Sequence, residues 1–337
     1  MGCRKQVRIK DVVTIENVEL GEKPSVAIFN QYGPVQVIGG RALPRALWGK
    51  VVREASGAGQ AAAEKNLDKI EVSSTKTGDH VTMRVTAPNA ADYKAELQVK
   101  VPVETDVKIS SRNGEVSVMG VSGNIEVENE SGDIIIRGMD GSLRINNKKG
   151  DITISGVVKS LDVESDEGTV HATIRQGETL SRDSVIRSKS GNITLRVSEN
   201  LDASLNLRSG TGKITANFPI KEKSNGRAFG TLGAGGNMLL VEALGGKVDL
   251  LRLPMQHHKP FEAKGLPPVR GGGPHAPPIQ KKPGLGHELD EDPVVRPKGY
   301  DPTWPEGHED CGHNHGHDHD HGHHHKHHHK HDHQSKK

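Results

Sequence analysis

From Gly114 onward, apolar and polar residues alternate in short bursts that recur every nine positions. The chain reads GEVSVMGVS, GNIEVENES, GDIIIRGMD, GSLRINNKK, GDITISGVV, KSLDVESDE and GTVHATIRQ. Glycine opens each unit except the one at Lys159, and apolar residues follow two and four places later, as at Val116 and Val118 or Ile125 and Val127. Residues at i and i+2 point to one face of a strand, while Gly with Asp or Asn supplies a turn. One type of unit closes with Gly and an apolar residue (Gly120-Val121, Gly138-Met139, Gly156-Val157). The other closes with a polar turn (Glu128–Ser131, Asn146–Lys149, Glu164–Glu167), so the structural period is about eighteen residues. A four-residue strand cannot bury its apolar side alone, but stacked copies bury a continuous ladder of Val, Ile and Leu. The pattern therefore predicts an all-β fold: a β-solenoid or β-roll of eighteen-residue coils.

The pattern loosens after residue 170 but returns at Gly191-Asn192-Ile193, Gly212-Lys213-Ile214, Gly236-Asn237-Met238 and Gly246-Lys247-Val248, with insertions at Gln176–Asp183 and Lys221–Arg227. Ahead of the repeat, Val26–Phe29 and Val35–Ile38 flank a turn at Tyr32-Gly33-Pro34. Ala61–Leu67 is the one good helix, and Ile70–Ser73, Val81–Thr86 and Ala95–Val101 alternate as strands. The organisation read from the chain is a strand-rich section over 1–106, solenoid repeats over 107–253, a linker over 254–307 and a tail over 308–337. The linker holds 12 of the 18 prolines, which fix φ and remove backbone donors, and is expected to be disordered.

Only nine residues of 337 are aromatic, and 32% are hydrophobic. A narrow interior filled by β-branched side chains needs no aromatics, so this scarcity fits a solenoid better than a conventional α/β enzyme core. With 45 Lys and Arg against 43 Asp and Glu, the near-neutral charge gives no general attraction to nucleic acid or membrane. No stretch is long and apolar enough to form a membrane-spanning helix. Cys3 and Cys311 stand at opposite ends and do not suggest a disulfide framework. The start MGCRKQVRIK has no apolar signal region, which puts the chain in the cytoplasm by default. Gly2-Cys3 would close a lipoprotein box if a segment preceded it, and the protein would then belong to the cell envelope.

The motifs VAIFNQYGPVQVIGG, AAAEKNLDKIEV, AELQVKVP and SGNIEVENESGDIIIRG resemble a bacterial β-strand-repeat domain of unknown function that carries a provisional adhesin label, DUF4097. The resemblance spans roughly Val12 to Leu253. It implies the repeat architecture and a non-enzymatic, adhesin-like role, and it brings no catalytic residues.

The residues with the clearest chemistry lie in the tail. Candidate metal ligands are His308, Cys311, His313, His315, His317, His319, His321, His323, His324, His325, His327, His328, His329, His331 and His333. Neutral imidazole binds Ni, Zn, Cu and Co, and the Cys311 thiolate adds a soft donor. At about four ligands per closed site, these residues have capacity for roughly three to four divalent ions, with Ni or Zn the expected choice. The alternative is a solubilising or pH-responsive tail whose imidazoles protonate near pH 6.5. Asp133 and Asp151 follow one glycine rather than the Gly-Gly-x-Gly-x-Asp of calcium-binding β-rolls, and read as turn residues. Gly57-Ala-Gly59-Gln-Ala-Ala62 matches a dinucleotide loop only loosely and reads as a flexible loop. His80 and His171 read as surface positions on strands. No organic cofactor is implied. A protein partner and end-to-end self-association through open strand edges are both expected possibilities.

Overall fold

A computed structural model describes residues 6–40, 45–175 and 180–253. In chain order the strands are β1 (Val7–Glu19), β2 (Ser25–Tyr32), β3 (Val35–Gly40) and β4 (Ala46–Gly57), followed by helix α1 (Gln60–Leu67). Next come β5 (Glu71–Thr77), β6 (His80–Thr86), β7 (Tyr93–Pro102), β8 (Asp106–Asn113), β9 (Val116–Met119) and β10 (Ile125–Ser131). Two long strands, β11 (Ile134–Lys149) and β12 (Ile152–Glu167), precede β13 (Val170–Ile174), β14 (Ser184–Ser190) and β15 (Ile193–Val197). The last are β16 (Ala203–Ser209), β17 (Ile214–Ala216), β18 (Ile220–Ser224), β19 (Arg227–Leu232), β20 (Met238–Ala243) and β21 (Val248–Arg252). No helix among these residues is long and apolar enough to cross a membrane.

The strands form two parallel ladders facing each other across one core. Ladder A runs β6, β2, β8, β10, the second half of β11, the second half of β12, β14, β20 and β16. Ladder B runs β7, β3, β9, the first half of β11, the first half of β12, β13, β15, β21 and β17. Each coil contributes one strand to each ladder. Through the regular part, apolar residues pair in register eighteen positions apart, as in Val107 with Ile125, Ile125 with Leu143 and Leu143 with Leu161. Inside, Ile125, Val127, Leu143 and Ile145 of ladder A meet Ile134, Ile136, Ile152 and Ile154 of ladder B, and all are essentially inaccessible to solvent. Burial contributes about 1.5–3 kcal/mol for each such side chain, which is why a nearly aromatic-free chain can sustain the stack. Across the Gln176–Asp183 insertion the spacing lengthens by five residues without loss of phase: Asp162 pairs with Val185.

Space and sequence part company at both ends. The β2–β3 coil lies between the later β6–β7 and β8–β9 coils. The final β20–β21 coil likewise inserts between β14–β15 and β16–β17. Antiparallel strands then flank the parallel stack. β5 borders β6, and β4 followed by β1 borders β7. At the far end β19 and β18 border β16. Helix α1 packs on β4 and β1 with Ala63 and Leu67 buried.

The helix forms one residue earlier than the sequence suggests, and the Gly57–Ala62 segment is the junction of β4 and α1 rather than a flexible loop. Gly57 ends the strand and its α-carbon abuts the backbone of Ala62 and Ala63, leaving no space for a side chain. No βαβ unit surrounds it, since β4 pairs antiparallel with both β1 and β7.

Candidate functional site

The turn from ladder A to ladder B is built the same way in every regular coil. Gly114, Gly132, Gly150 and Gly168 all adopt positive φ (147°, 128°, 124° and 139°). A Cβ on Gly132 would press into the carbonyl oxygen of Gly114, and one on Gly150 into that of Gly132. Beneath this column runs a buried polar seam in register: Asn30, Ser111, Asn129, Asn147, Ser165 and Ser188. Asn147 Nδ2 donates to Gly150 O of its own coil at 3.0 Å and to Gly132 O of the preceding coil at 3.2 Å. Asn129 Nδ2 donates to Gly132 O at 3.0 Å. These bonds satisfy turn carbonyls that a solenoid would otherwise bury unpaired.

Asp133 and Asp151 link adjacent coils. Asp133 Oδ1 accepts the Asp151 N–H at 2.9 Å, and Asp151 Oδ1 accepts the Thr169 N–H at 2.7 Å. Both carboxylates are thus engaged as turn residues. Among the described residues no group of three His, Cys, Asp or Glu could hold a metal ion.

The two outer faces differ in chemistry. On ladder A the outward charges reverse sign from coil to coil. β8 presents Lys108 and Arg112; β10 presents Glu126, Glu128 and Glu130; β11 presents Arg144 and Lys148; β12 presents Asp162, Glu164 and Asp166; β14 presents Arg187 and Lys189. The sequence continues with Glu242 on β20 and Arg208 on β16. Ion pairs cross between coils: Lys108–Glu126 at 3.0 Å, Arg144–Asp162 at 2.8 Å, Lys189–Asp166 at 2.6 Å and Lys148–Glu130 at 3.4 Å. Glu242 stands between Arg187 (2.8 Å) and Arg208 (3.4 Å). The Arg187 hydrogen bond holds the Glu242 carboxyl below its ordinary pKa, against a smaller opposing effect of burial. In ladder B the row Gln98, Gln36, Ser117, Ile135, Thr153, His171 and Thr194 is uncharged until it reaches Asp249 on β21, so charge does not alternate there from coil to coil.

The sign alternation lapses at β2, whose outward residues are Ala27, Phe29 and Gln31. A shallow depression of about 460 Å3 lies here. The Arg84 guanidinium sits over the Phe29 ring at 4.4 Å, and Arg112, Glu130 and Lys148 line the other side. Arg112 also donates to the Tyr32 hydroxyl at 3.4 Å, the main cause of its raised pKa. The sequence reading singled out neither Phe29 nor Arg84, although an aromatic amid outward polar positions is a visible signal.

His80 lies at the start of β6 between two hydroxyls, with Ser25 Oγ 2.8 Å from Nδ1 and Thr82 Oγ1 3.2 Å from Nε2. Among the described residues no carboxylate hydrogen-bonds its ring, and the pair is solvent-exposed, unlike the arrangement that activates a serine nucleophile. His171 is on the outer row of ladder B between Thr153 and Thr194. The histidines and Cys311 from His308 to His333, the linker, and Cys3 lie outside the described residues.

A family profile described as Toastrack DUF4097 matches residues 50–251. No curated protein matches the chain. Among solved structures it is similar to a provisionally assigned cell adhesion protein from Clostridium sporogenes, at 12% identity and TM-score 0.33, covering 73% of this chain and 100% of that one. A provisionally assigned adhesin from Bacteroides fragilis is 8% identical with TM-score 0.27, covering 72% and 97%. A provisionally assigned lipid-binding protein from Parabacteroides distasonis is 9% identical with TM-score 0.26, covering 71% and 96%.

Proposed function

The chain belongs to the Toastrack DUF4097 family, and from that premise we propose that it is a non-enzymatic scaffold whose histidine-rich tail binds divalent transition metals. The observation that carries the scaffold role is the coil-to-coil pairing of charge on ladder A, which spends the long face on holding the stack rather than on converging groups at one point. The observation that carries the metal role is the placement of fourteen histidines within His308–His333, after a proline-rich stretch. Such ligands bind without a preformed cage, pay ordering entropy at each site, and follow the general divalent affinity order. Ni and Zn are the ions to test first.

The experiment is a titration of the full chain and of a truncation after Gly307 with Ni and Zn, against a competing chelator. The reading expects several ions bound below about micromolar by the full chain, on the four-ligand arithmetic above, and none by the truncation. Equal capacity in both would overturn it. Millimolar binding in both would leave the tail a pH-responsive or solubilising element.

A second reading is that of an adhesin-like protein which engages a partner through the ladder A face. It is favoured by the depression at Phe29, where an aromatic ring meets Arg84, with Arg112 and Lys148 beyond it sharing Glu130. These groups suit an acidic segment with an apolar side chain. Phe29→Ala with Arg84→Ala should weaken binding of such a peptide at least tenfold in fluorescence anisotropy; unchanged binding would remove this reading. We take the protein as cytoplasmic, and fractionation of native cells with an antibody to it tests this. Recovery in the envelope would favour the adhesin-like reading.

A further inference from the structure

The ends of a stack expose strand edges, and folds of this kind survive by blunting them. The far end is blunted. β17 is three residues long, and β18 is five residues long with a register shift between Ile220 and Glu222. β5 presents seven residues dominated by exposed Ser, Thr and Lys. β1 is different. It is thirteen residues long, contains no proline, and keeps unbroken register with β4 from Val7 to Ile15. Among the described residues its only ladder partner is β4; α1 packs against it and β5 approaches it, but no second strand hydrogen-bonds its other edge. Beyond the β2–β3 coil, ladder B adds three strands (β7, β4, β1) and ladder A adds two (β6, β5), which leaves β1 outermost.

At the middle of this edge stands Val12, 55% exposed, the most exposed large hydrophobic among the described residues. It pairs across the ladder with Val52, which is half-buried, so an apolar strip runs outward along the sheet and stops at the edge. The charges of β1 are polarised. Arg8 and Lys10 lie toward its start, both ion-paired with Glu54 of β4, Asp11 pairs with Arg53, and Glu19 lies toward its end.

We propose that two copies pair antiparallel through β1, across a twofold axis at Val12, to form one continuous sheet. In that register Val12 meets Val12 of the second copy, extending the Val52–Val12 strip across the axis. Ile9 falls opposite Ile15 and Lys10 opposite Thr14. A centre one residue earlier places Asp11 against Asp11, and two earlier Lys10 against Lys10, both like-charge apposition. A centre one residue later pushes the pairing further into the bulge that follows Ile15. The occupant is therefore a second copy of this chain, in one register.

The test uses the full chain with Cys3→Ser and Cys311→Ser, in chelator so that metal bridging by the tail plays no part. Sedimentation velocity at about 10–100 µM, the range in which a modest strand-pairing interface is populated, is expected to show a dimer. Val12→Lys sets two ammonium groups face to face at an exposed site and should shift the protein to monomer, raising the dissociation constant at least tenfold with the melting temperature of the fold unchanged. Val12→Cys should cross-link to itself on diamide oxidation, whereas Lys10→Cys and Thr14→Cys should cross-link only when the two proteins are mixed. A monomeric parent, a Val12→Lys dimer as tight as the parent, or equal self-cross-linking at all three positions would each overturn the proposal.

Discussion

At the scale of single residues, the turn column shows why glycine recurs where the coils come closest. Gly132 combines a φ of 128° with a neighbouring carbonyl where a side chain would begin. Gly132→Ala therefore incurs both backbone strain and a steric clash, each typically about 1–3 kcal/mol. A combined cost of about 3 kcal/mol should lower Tm by roughly 6–12 °C in calorimetry. Gly78, which also has positive φ but open space beyond it, should tolerate alanine better. Glu242 gives a pH signature. Its folded-state pKa is depressed, chiefly by the Arg187 hydrogen bond. The carboxylate's stabilising contribution is thus full above its unfolded value of about 4.3 and is lost as pH falls through the folded value. Glu242→Gln should be less stable than the parent at pH 6, and that gap should close in denaturant titrations as pH drops below about 4. A gap independent of pH would mean that the carboxylate charge is not what matters there.

At the scale of elements, the repeat from Gly114 to Gln176 was legible because the strand period of two and the turn period of nine reinforce each other. The strands Val26–Phe29, Val35–Ile38, Val81–Thr86 and Ala95–Val101 were visible from apolar patterning and flanking turn residues, and differ from β2, β3, β6 and β7 only at their ends. β1 and β4 escaped notice because they pair antiparallel and lie outside the repeat, where no spacing announces them. The β18–β19 hairpin was hidden inside what looked like an insertion, although Asn225-Gly226 is a strong two-residue hairpin signal. Both residues have positive φ, 40° and 76°. Asn225→Ala with Gly226→Ala should therefore loosen the hairpin locally. Hydrogen exchange is expected to speed up in β18 and β19, while β10–β12 keep their protection. Uniform loss of protection would instead make the hairpin part of the global folding unit. Of the candidate chemistry, Asp133 and Asp151 were readable as turn residues from their single preceding glycine. The Phe29 depression was not, because it depends on which coil lies beside β2, and the neighbour in space is β8, far along the chain.

At the scale of the whole molecule, the order of coils could not be read from the chain, since both ends fold back and insert. What does carry over from sequence to stack is the sign of each rung. Removing residues 132–149 deletes one coil and keeps glycine, core and turns in phase, but brings Glu126, Glu128 and Glu130 alongside Asp162, Glu164 and Asp166. Like charges directly opposite cost about 0.2–1 kcal/mol each. Removing 132–167 deletes two coils and places Glu128 and Glu130 beside Arg187 and Lys189. The shorter deletion should therefore respond more to ionic strength: added salt should raise its urea midpoint more than that of the longer deletion. Indifference to salt would assign coil pairing to shape alone.

That alternation gives the stack a parity. A tandem duplication of one coil's coding segment inherits a frustrated neighbour and needs charge reversals before it is neutral, whereas a duplication of two inherits none. Lineages that lengthen or shorten this scaffold are expected to do so in pairs, and an odd-sized relative should carry, at the junction, the residues that repair its signs.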